Sequence, residues 1–120
     1  DDMARHHEIG TQGEQLAMEC LIKMGYKIVL RNWRFKNLEV DLIAMDGDTL
    51  VFVVVKTRSR TDFGEPYEFV DVRKQRRLIR AAQAYILKYA FVGEVRFDVV
   101  AVTNGTYSEL TYIKDAFWDS

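Results

Sequence analysis

At 120 residues the chain has the length of one domain, which is enough to bury a hydrophobic core without disulfides or a structural metal. Hydrophobic residues make up 48% of the sequence and charged residues 29%, and the formal net charge is −1, as in an ordinary soluble globular protein. There is no membrane-length apolar run, no signal-peptide pattern, and only Cys20 as a thiol. We therefore expect a cytoplasmic protein with no membrane partner and no internal disulfide.

The chain is expected to form a single domain over residues 1–120. Met3 follows two aspartates and has the character of a native start, so residues 1–7 are expected to be a disordered tail or a vector-derived remnant. His6 and His7 are adjacent, which is not the spacing of a metal-binding pair on a helix or a strand.

The first predicted element is a helix that begins at Thr11. Thr11 and Glu14 have the spacing of a capping box, in which the threonine caps the helix and the glutamate returns to the backbone N–H of the threonine. The helix is predicted to continue through Lys23 and to end at Gly25. This interpretation gives Glu14 a structural role before any functional one.

Three strands are predicted next. The alternating segment 26–35 predicts the first, and segments 39–44 and 50–56 predict a hairpin whose turn chemistry lies at residues 46–48. The second hairpin strand is apolar on both faces from Val51 to Val55, which favours a central strand covered by helices on each side.

The hairpin carries an unusual group of charges. Because strand side chains alternate between faces, Glu39 and Asp41 share one face of the first strand, and Val54 and Lys56 share one face of the second. A two-residue loop places Asp41 opposite Phe52, and a four-residue loop places it opposite Val54. In both registers the two acids and the lysine are predicted to lie on one surface.

Two carboxylates beside a lysine suggest a divalent-metal site. Mg²⁺ and similar hard cations take oxygen ligands, often one or two carboxylates plus substrate phosphates, and a nearby ammonium can orient an attacking water. The same pattern also occurs on solvated strand faces and in cross-strand ion pairs. The spacing alone leaves both interpretations open.

The second half of the chain contains a loop, a helix and two more strands. The loop runs over residues 57–68, the helix over 71–89, and the strands over 95–102 and 109–113, with a short closing turn at 114–118. The predicted order is helix, three strands, helix, strand, strand. It indicates an α/β fold with a central sheet flanked by helices.

Charge is distributed unevenly along the chain. Between Lys56 and Arg80 there are eight basic residues against four acidic ones, although the whole protein is nearly neutral. A local basic surface is typical of a protein that binds a polyanion such as nucleic acid, and it can equally be a solvated helix face. The candidate phosphate contacts are Arg58, Arg60, Arg73, Arg76, Arg77 and Arg80.

Several motifs together resemble the YraN-like family of bacterial uncharacterised proteins. They are Gly13-Glu14, Arg31-Asn32-Trp33-Arg34, Glu39-Val40-Asp41-Leu42-Ile43-Ala44, Val55-Lys56-Thr57-Arg58 and Arg96-Phe97-Asp98. The resemblance extends from about Glu8 to Phe117. That family is placed in the restriction-endonuclease-like superfamily and is similar to archaeal Holliday-junction resolvases. The resemblance implies an αβββαβ core with a mixed sheet, a nucleic-acid partner, and a homodimer as in the resolvases.

The superfamily's PD-(D/E)XK pattern gives each candidate residue an implied role. Asp41 matches the aspartate that binds Mg²⁺ or Mn²⁺, Lys56 matches the lysine that acts on the attacking water, and Glu14 matches the assisting helix acid. The family writes Phe-Val-Glu-Val-Lys where this chain has Val54 in place of the glutamate. Glu39 is the acid expected to replace that lost ligand.

Two function hypotheses follow from these residues. The first is a nucleic-acid-binding protein derived from a metal-dependent DNA endonuclease, with cleavage impaired or lost at Val54. The second is a catalytically inactive protein-interaction or scaffold module on the same fold, which Val54 and the loop aromatics Phe63 and Tyr67 support. The sequence leaves open whether the chain cleaves a phosphodiester bond.

Overall fold

The computed structural model of the chain describes residues 2–59, 70–104 and 109–118. Its elements are α1 (Asp2–Lys23), β1 (Lys27–Phe35), β2 (Leu38–Asp46), β3 (Thr49–Ser59), α2 (Val72–Tyr89), β4 (Val95–Asn104) and β5 (Glu109–Phe117). This order is the one that the sequence predicts. The loop predicted over 57–68 starts later, because β3 continues to Ser59; its remaining residues, with Phe63 and Tyr67, lie outside the described residues.

The five strands form one sheet in the order β1-β2-β3-β4-β5. β3 and β4 run parallel and the other neighbours run antiparallel, so the sheet is mixed, as predicted. The hairpin pairs Met45 with Leu50 and Asp46 with Thr49, which is the register that places Asp41 level with Val54. The turn itself holds only residues 47 and 48, so the prediction that a two-residue loop places Asp41 opposite Phe52 is wrong, and Gly47 adopts a φ of 60° there.

Each face of the sheet has its own hydrophobic core. The α2 core includes Val54, Phe52, Leu78, Ala82 and Tyr85, and it lies between the sheet and α2. The α1 core includes Ala17, Leu21, Val51, Val53 and Val100 on the other face. Because consecutive residues of β3 contribute to both cores, β3 is the central covered strand that its apolar sequence predicts.

Helix α1 begins at Asp2, so the predicted capping box at Thr11 is wrong. There is no proline between residue 2 and Thr11, and Gly10 costs the helix only about 1 kcal/mol, so the helix passes through the capping motif without ending. It does end after Lys23, where Gly25 adopts a φ of 88° and its N–H donates to the carbonyl of Ile22.

Helix α2 begins where the sequence predicts. The side chain of Asp71 caps it by accepting a 2.8 Å hydrogen bond from the backbone N–H of Lys74. Val72 and Tyr89 carry large apolar or aromatic side chains, yet they are 58% and 50% exposed. They are the first and last residues of the helix, and only its middle turns pack on the sheet.

The closing turn predicted at residues 114–118 is wrong, because β5 continues as a strand to Phe117. Phe97 pairs with Phe117 across β4 and β5, and their rings stack with centroids 5.2 Å apart. This contact between distant residues holds the strand end in place. Neither helix, over the residues that the structure describes, combines the length and apolar character needed to cross a membrane.

Candidate functional site

Asp41 lies at an irregular point of β2. Val40 packs in the α2 core, whereas Leu42, two residues further on, packs in the α1 core. Residues two apart on a regular strand share a face, so the alternation breaks at Asp41. The backbone pairing of β2 with β3 extends to Leu42 and Val53, and beyond it the carboxylate of Asp41 accepts a 2.8 Å hydrogen bond from the backbone N–H of Val55.

The environment of Asp41 favours its neutral form. Burial raises the pKa of this carboxyl from 3.8 to about 6, against the lowering effect of the hydrogen bond from Val55. The positive charge of Lys74 on α2 lowers the pKa, and the negative charges of Glu14 and Glu39 raise it. The lysine that acts most on Asp41 is therefore Lys74, a residue to which the sequence analysis assigned no part in the site.

Val54 and Lys56 share a face of β3, as predicted. Val54 is 1% exposed and packs in the α2 core, so an apolar side chain fills the position where the resemblance places an acid. Lys56, two residues further along, is half-buried. Lys56 was predicted to share one surface with Glu39 and Asp41. The fold does not produce that arrangement, because β2 is irregular where it lies beside this part of β3.

Glu14 and Glu39 are each engaged with an arginine of β1. Glu14 of α1 lies 4.0 Å from Arg31, and Glu39 lies 3.7 Å from Arg34. The neighbours of Glu39 on β2, Leu38 and Val40, both pack against the α2 core. Glu39 therefore lies on the opposite face of the sheet from Val54 and Lys56. The prediction that Glu39 and Lys56 share one surface is wrong.

These residues do not form a complete site for Mg²⁺ or Mn²⁺. Such ions need oxygen ligands in a fixed geometry, and one carboxylate oxygen of Asp41 is already occupied by the N–H of Val55. Within the described ranges, there is no group of three or more His, Cys, Asp or Glu side chains that could hold a metal ion. The donor set is one constrained carboxylate with a valine beside it.

The predicted arginines of α2 lie together on the solvent side of the helix. Arg73, Arg76, Arg77 and Arg80 are all exposed, and we call them the arginine stripe. Arg77 also contacts another part of the chain, through a 2.7 Å hydrogen bond from its guanidinium to the carbonyl oxygen of Asn37.

The other two predicted phosphate contacts are separate from the arginine stripe. Arg58 on β3 donates from Nε to the hydroxyl of Thr103 at 3.0 Å, which ties it to the neighbouring strand. Arg60 lies outside the described residues. The arginine stripe is therefore the largest basic group that the described part of the chain brings together.

The profile of the Uncharacterised protein family UPF0102 matches residues 13–102. The chain belongs to this family. A UPF0102 protein of Chlorobium chlorochromatii is 47% identical and covers 92% of this chain and 92% of its own length. UPF0102 proteins of Flavobacterium johnsoniae and Bacteroides thetaiotaomicron are 46% and 43% identical, each over 97% of this chain.

The UPF0102 match confirms the resemblance on which the fold prediction rests. The matched range contains Glu14, Asp41, Lys56 and the arginine stripe, whereas strand β5 lies beyond it. The family description assigns no activity, so the residues of this UPF0102 protein are the evidence for its chemistry.

This UPF0102 structure also contains a buried polar network that the sequence analysis did not identify. Asp98 is fully buried and accepts hydrogen bonds from Arg96, from the hydroxyl of Tyr112 and from the backbone N–H of Asp115. Arg96 also donates to Asp46 at 2.8 Å. The only local signal is an arginine and an aspartate two apart on one strand, which shows a shared face but not the partners.

Proposed function

We propose that this UPF0102 protein binds DNA through the arginine stripe of α2 and does not hydrolyse it. The observation that carries this proposal is the charge of the helix: residues Val72–Tyr89 include six basic residues and no acidic one. A helix whose exposed side carries only positive charge is suited to a polyanion, because each arginine can pair with a phosphate.

The geometry of α2 supports a contact with one stretch of backbone. Arg73, Arg76, Arg77 and Arg80 are spaced by three or four residues, so they project from one side of the helix. The opposite side is fixed to the sheet by buried Leu78, Ala81, Ala82 and Tyr85. At a rise of 1.5 Å per residue the stripe is roughly 10 Å long, enough to span several phosphates of a duplex.

Val54 and Asp41 make this site unsuited to hydrolysis of a phosphodiester bond. A nuclease of the family that the sequence resembles needs an acid at position 54, and the valine there is buried in the α2 core. One oxygen of Asp41 already accepts the hydrogen bond from Val55, and a single carboxylate supplies too few oxygen ligands to hold such a cation alone.

The test is the salt dependence of DNA binding, measured by fluorescence anisotropy with a labelled oligonucleotide. If the four arginines contact four phosphates, affinity falls roughly a hundredfold between about 50 and about 200 mM salt. Arg76→Gln combined with Arg80→Gln should weaken binding and lower the salt slope by about 2. Lys23→Gln removes an exposed charge at the end of α1 and should leave the slope unchanged.

Binding that is insensitive to salt, or a slope that falls equally in the Lys23→Gln control, would contradict the proposal. Cleavage of the oligonucleotide by the unmodified protein in Mn²⁺, at a rate abolished by Asp41→Ala, would contradict its second part. DNA remains the polymer to test first, because the endonuclease-like resemblance implies it.

A protein-interaction module is the second candidate, and exposed apolar side chains favour it. Leu87 is 86% exposed and Val92 is 93% exposed, at the end of α2 and in the segment that follows. If these residues bind a second copy of the chain, Leu87→Ser with Val92→Ser should convert a dimer to a monomer in sedimentation experiments. The same pair of changes should leave DNA binding unaltered if the arginine stripe acts alone.

A further inference from the structure

An apolar groove lies beside the arginine stripe. It has a volume of about 310 Å³ and runs between α2 and the β4 and β5 side of the sheet. Its lining is formed by uncharged side chains, including Ile79, Ile86, Phe97 and Trp118. A cavity of this size is at the lower end of the range that binds small organic groups.

The groove is continuous with a second cavity that is lined by positively charged side chains. This second cavity of about 210 Å³ is lined by Arg76, Ile79, Arg80 and Gln83. Ile79 and Gln83 line both cavities, so the two form one continuous surface. Among the residues that the structure describes, no acidic side chain lines either cavity, and the combined surface is therefore apolar at one end and cationic at the other.

Trp118 forms an exposed wall of this groove. It is 69% exposed, whereas Trp33 is 9% exposed in the α2 core. The indole N–H of Trp118 donates a 3.0 Å hydrogen bond to the side chain of Asp115, so the one polar atom of the ring is already paired. What the exposed ring can offer a ligand is its aromatic surface.

We propose that this groove holds an unpaired nucleobase stacked on Trp118, with the phosphates on either side paired to Arg76 and Arg80. A flat, apolar aromatic group joined to anionic phosphates matches a groove that changes from apolar to cationic along its length. The inference rests on the proposed function and adds its substrate class, which is single-stranded or locally unpaired nucleic acid.

The structure of duplex DNA also supports this inference, because it determines whether a base can contact Trp118. Bases inside an intact duplex are stacked on their neighbours and their faces are closed to a protein side chain. An intact duplex can therefore contact the arginine stripe through its phosphates but cannot place a base against Trp118. Single strands are accordingly expected to gain a contribution to binding that duplexes lack.

The experiment compares the affinities of labelled oligothymidylate and of a blunt duplex at one salt concentration. Trp118→Ala should weaken binding of oligothymidylate by about 5- to 150-fold, the effect of losing one stacked base, and should change duplex binding by less than about threefold. Trp118→Phe retains an aromatic ring and should recover most of the affinity. Ile22→Ala shortens an exposed apolar side chain of α1, away from the groove, and is the matched control.

Intrinsic fluorescence gives a direct second readout. Oligothymidylate should quench the tryptophan emission of the unmodified protein, and Trp118→Phe should remove that quenching because the remaining tryptophan, Trp33, is buried. The salt slope should stay the same in both Trp118 variants, since neither changes the charge of the protein.

The outcomes separate this inference from the proposed function. If neither nucleic acid binds in a salt-dependent way, the proposed function fails and the inference fails with it. If both bind but Trp118→Ala affects them equally, the groove holds no base and only the inference is overturned. If Trp118→Ala instead dissociates a dimer and leaves oligothymidylate binding intact, the groove belongs to a second copy of the chain.

Discussion

Asp41 acts in this fold as the partner of a backbone group. Its carboxylate accepts a hydrogen bond from the backbone N–H of Val55, close to the pair Leu42 and Val53 at which the pairing of β2 with β3 ends. A buried backbone N–H without a partner costs about 1 to 3 kcal/mol. The residue that the resemblance assigns to metal binding therefore has a structural role that does not require a metal.

The first prediction concerns the pH dependence of stability. The pKa of Asp41 is about 6 in the folded protein and near 3.8 in the unfolded chain, so the folded state holds the proton more tightly. Its contribution to stability is complete below about pH 4 and is lost as the pH rises through 6. Asp41→Asn should therefore stabilise the protein at pH 7, by roughly 2 kcal/mol, and should flatten this part of the pH profile.

Urea unfolding from pH 4 to pH 7 measures this effect. Asp41→Asn retains an oxygen that can accept from Val55. Asp41→Ala does not, and it should destabilise the protein at pH 4, where Asp41 is protonated and its removal relieves no buried charge. A stability difference between Asp41→Asn and the unmodified protein that does not vary with pH would show that Asp41 does not titrate in this window.

The second prediction concerns Val54. Val54→Glu places a carboxylate in the α2 core level with Asp41, so the variant should lose several kcal/mol of stability in EDTA. Mn²⁺ should then raise the melting temperature of Val54→Glu, because a ligand that binds only the native state stabilises it. The unmodified protein and Val54→Gln should show no such rise. A Mn²⁺ response in the unmodified protein would mean that Asp41 finds ligands without an acid at position 54.

The residues of this site were predictable only in part. Asp41 and Lys56 could be selected from the hairpin pattern and the family resemblance, and their strands are as predicted. The face of the sheet on which Glu39 lies could not be predicted, because the prediction assumed a regular alternation of side chains and that alternation breaks at Asp41. Asn32, which would lie across from Asp41 on β1, has a φ of 52°, and such an irregularity depends on both strands together.

At the scale of elements, the approach of α1 to β3 is set by a glycine. A Cβ atom at Gly13 would lie 2.6 Å from the hydroxyl oxygen of Thr57, closer than atoms can pack. Gly13 lies inside α1, where alanine would normally be preferred by about 1 kcal/mol. The glycine is therefore explained by the close contact with the sheet and not by helix stability.

The third prediction uses this contact in a double-mutant cycle. Gly13→Ala alone should destabilise the protein by about 1 to 3 kcal/mol, because α1 must move away from β3 or Thr57 must shift. In a Thr57→Ala background the same substitution should be neutral or stabilising, since the nearest remaining atoms are 3.9 Å away. Thermal unfolding of the four proteins measures the coupling, and strictly additive effects would contradict the contact.

The sequence predicts the elements of this fold better than their ends. The interiors of β3 and α2 have strong periodic patterns, and both were identified correctly. The start of α1 and the end of β5 were missed for different reasons. A capping motif inside a helix is not distinguishable from one at its start, and β5 is held by the distant contact of Phe117 with Phe97.

At the scale of the whole molecule, one largely buried network joins the three strands β2, β4 and β5 and the segment before β1. Arg96 and Asp98 lie on β4, Tyr112 on β5, Asp46 at the end of β2, and Tyr26 just before β1. Burial lowers the pKa of Arg96, yet the hydrogen bonds to Asp98 and Asp46 raise it overall, so the guanidinium stays charged. The network partners are far apart in sequence, which is why no local pattern revealed them.

The last prediction is that Asp98 contributes far more to the free energy of unfolding than any surface ion pair of this protein. Asp98→Ala leaves the buried guanidinium of Arg96 without its main partner and removes the acceptor of Tyr112 and of the Asp115 N–H. The expected loss is about 3 to 5 kcal/mol in the free energy of unfolding. Lys114→Ala, which removes an exposed lysine 3.9 Å from Asp46, should cost less than about 1 kcal/mol.

Urea unfolding measures both variants, and hydrogen exchange locates the effect if Asp98→Ala is too unstable for a full curve. Amide protons of β4 and β5 should then lose protection before those of the β2 and β3 hairpin, because Asp98 adds side-chain hydrogen bonds from β4 to β5 that reinforce their backbone pairing. Equal losses from Asp98→Ala and Lys114→Ala would show that the network adds nothing beyond surface electrostatics. Uniform loss of protection would show that the sheet opens as one unit, with β5 held as firmly as its centre.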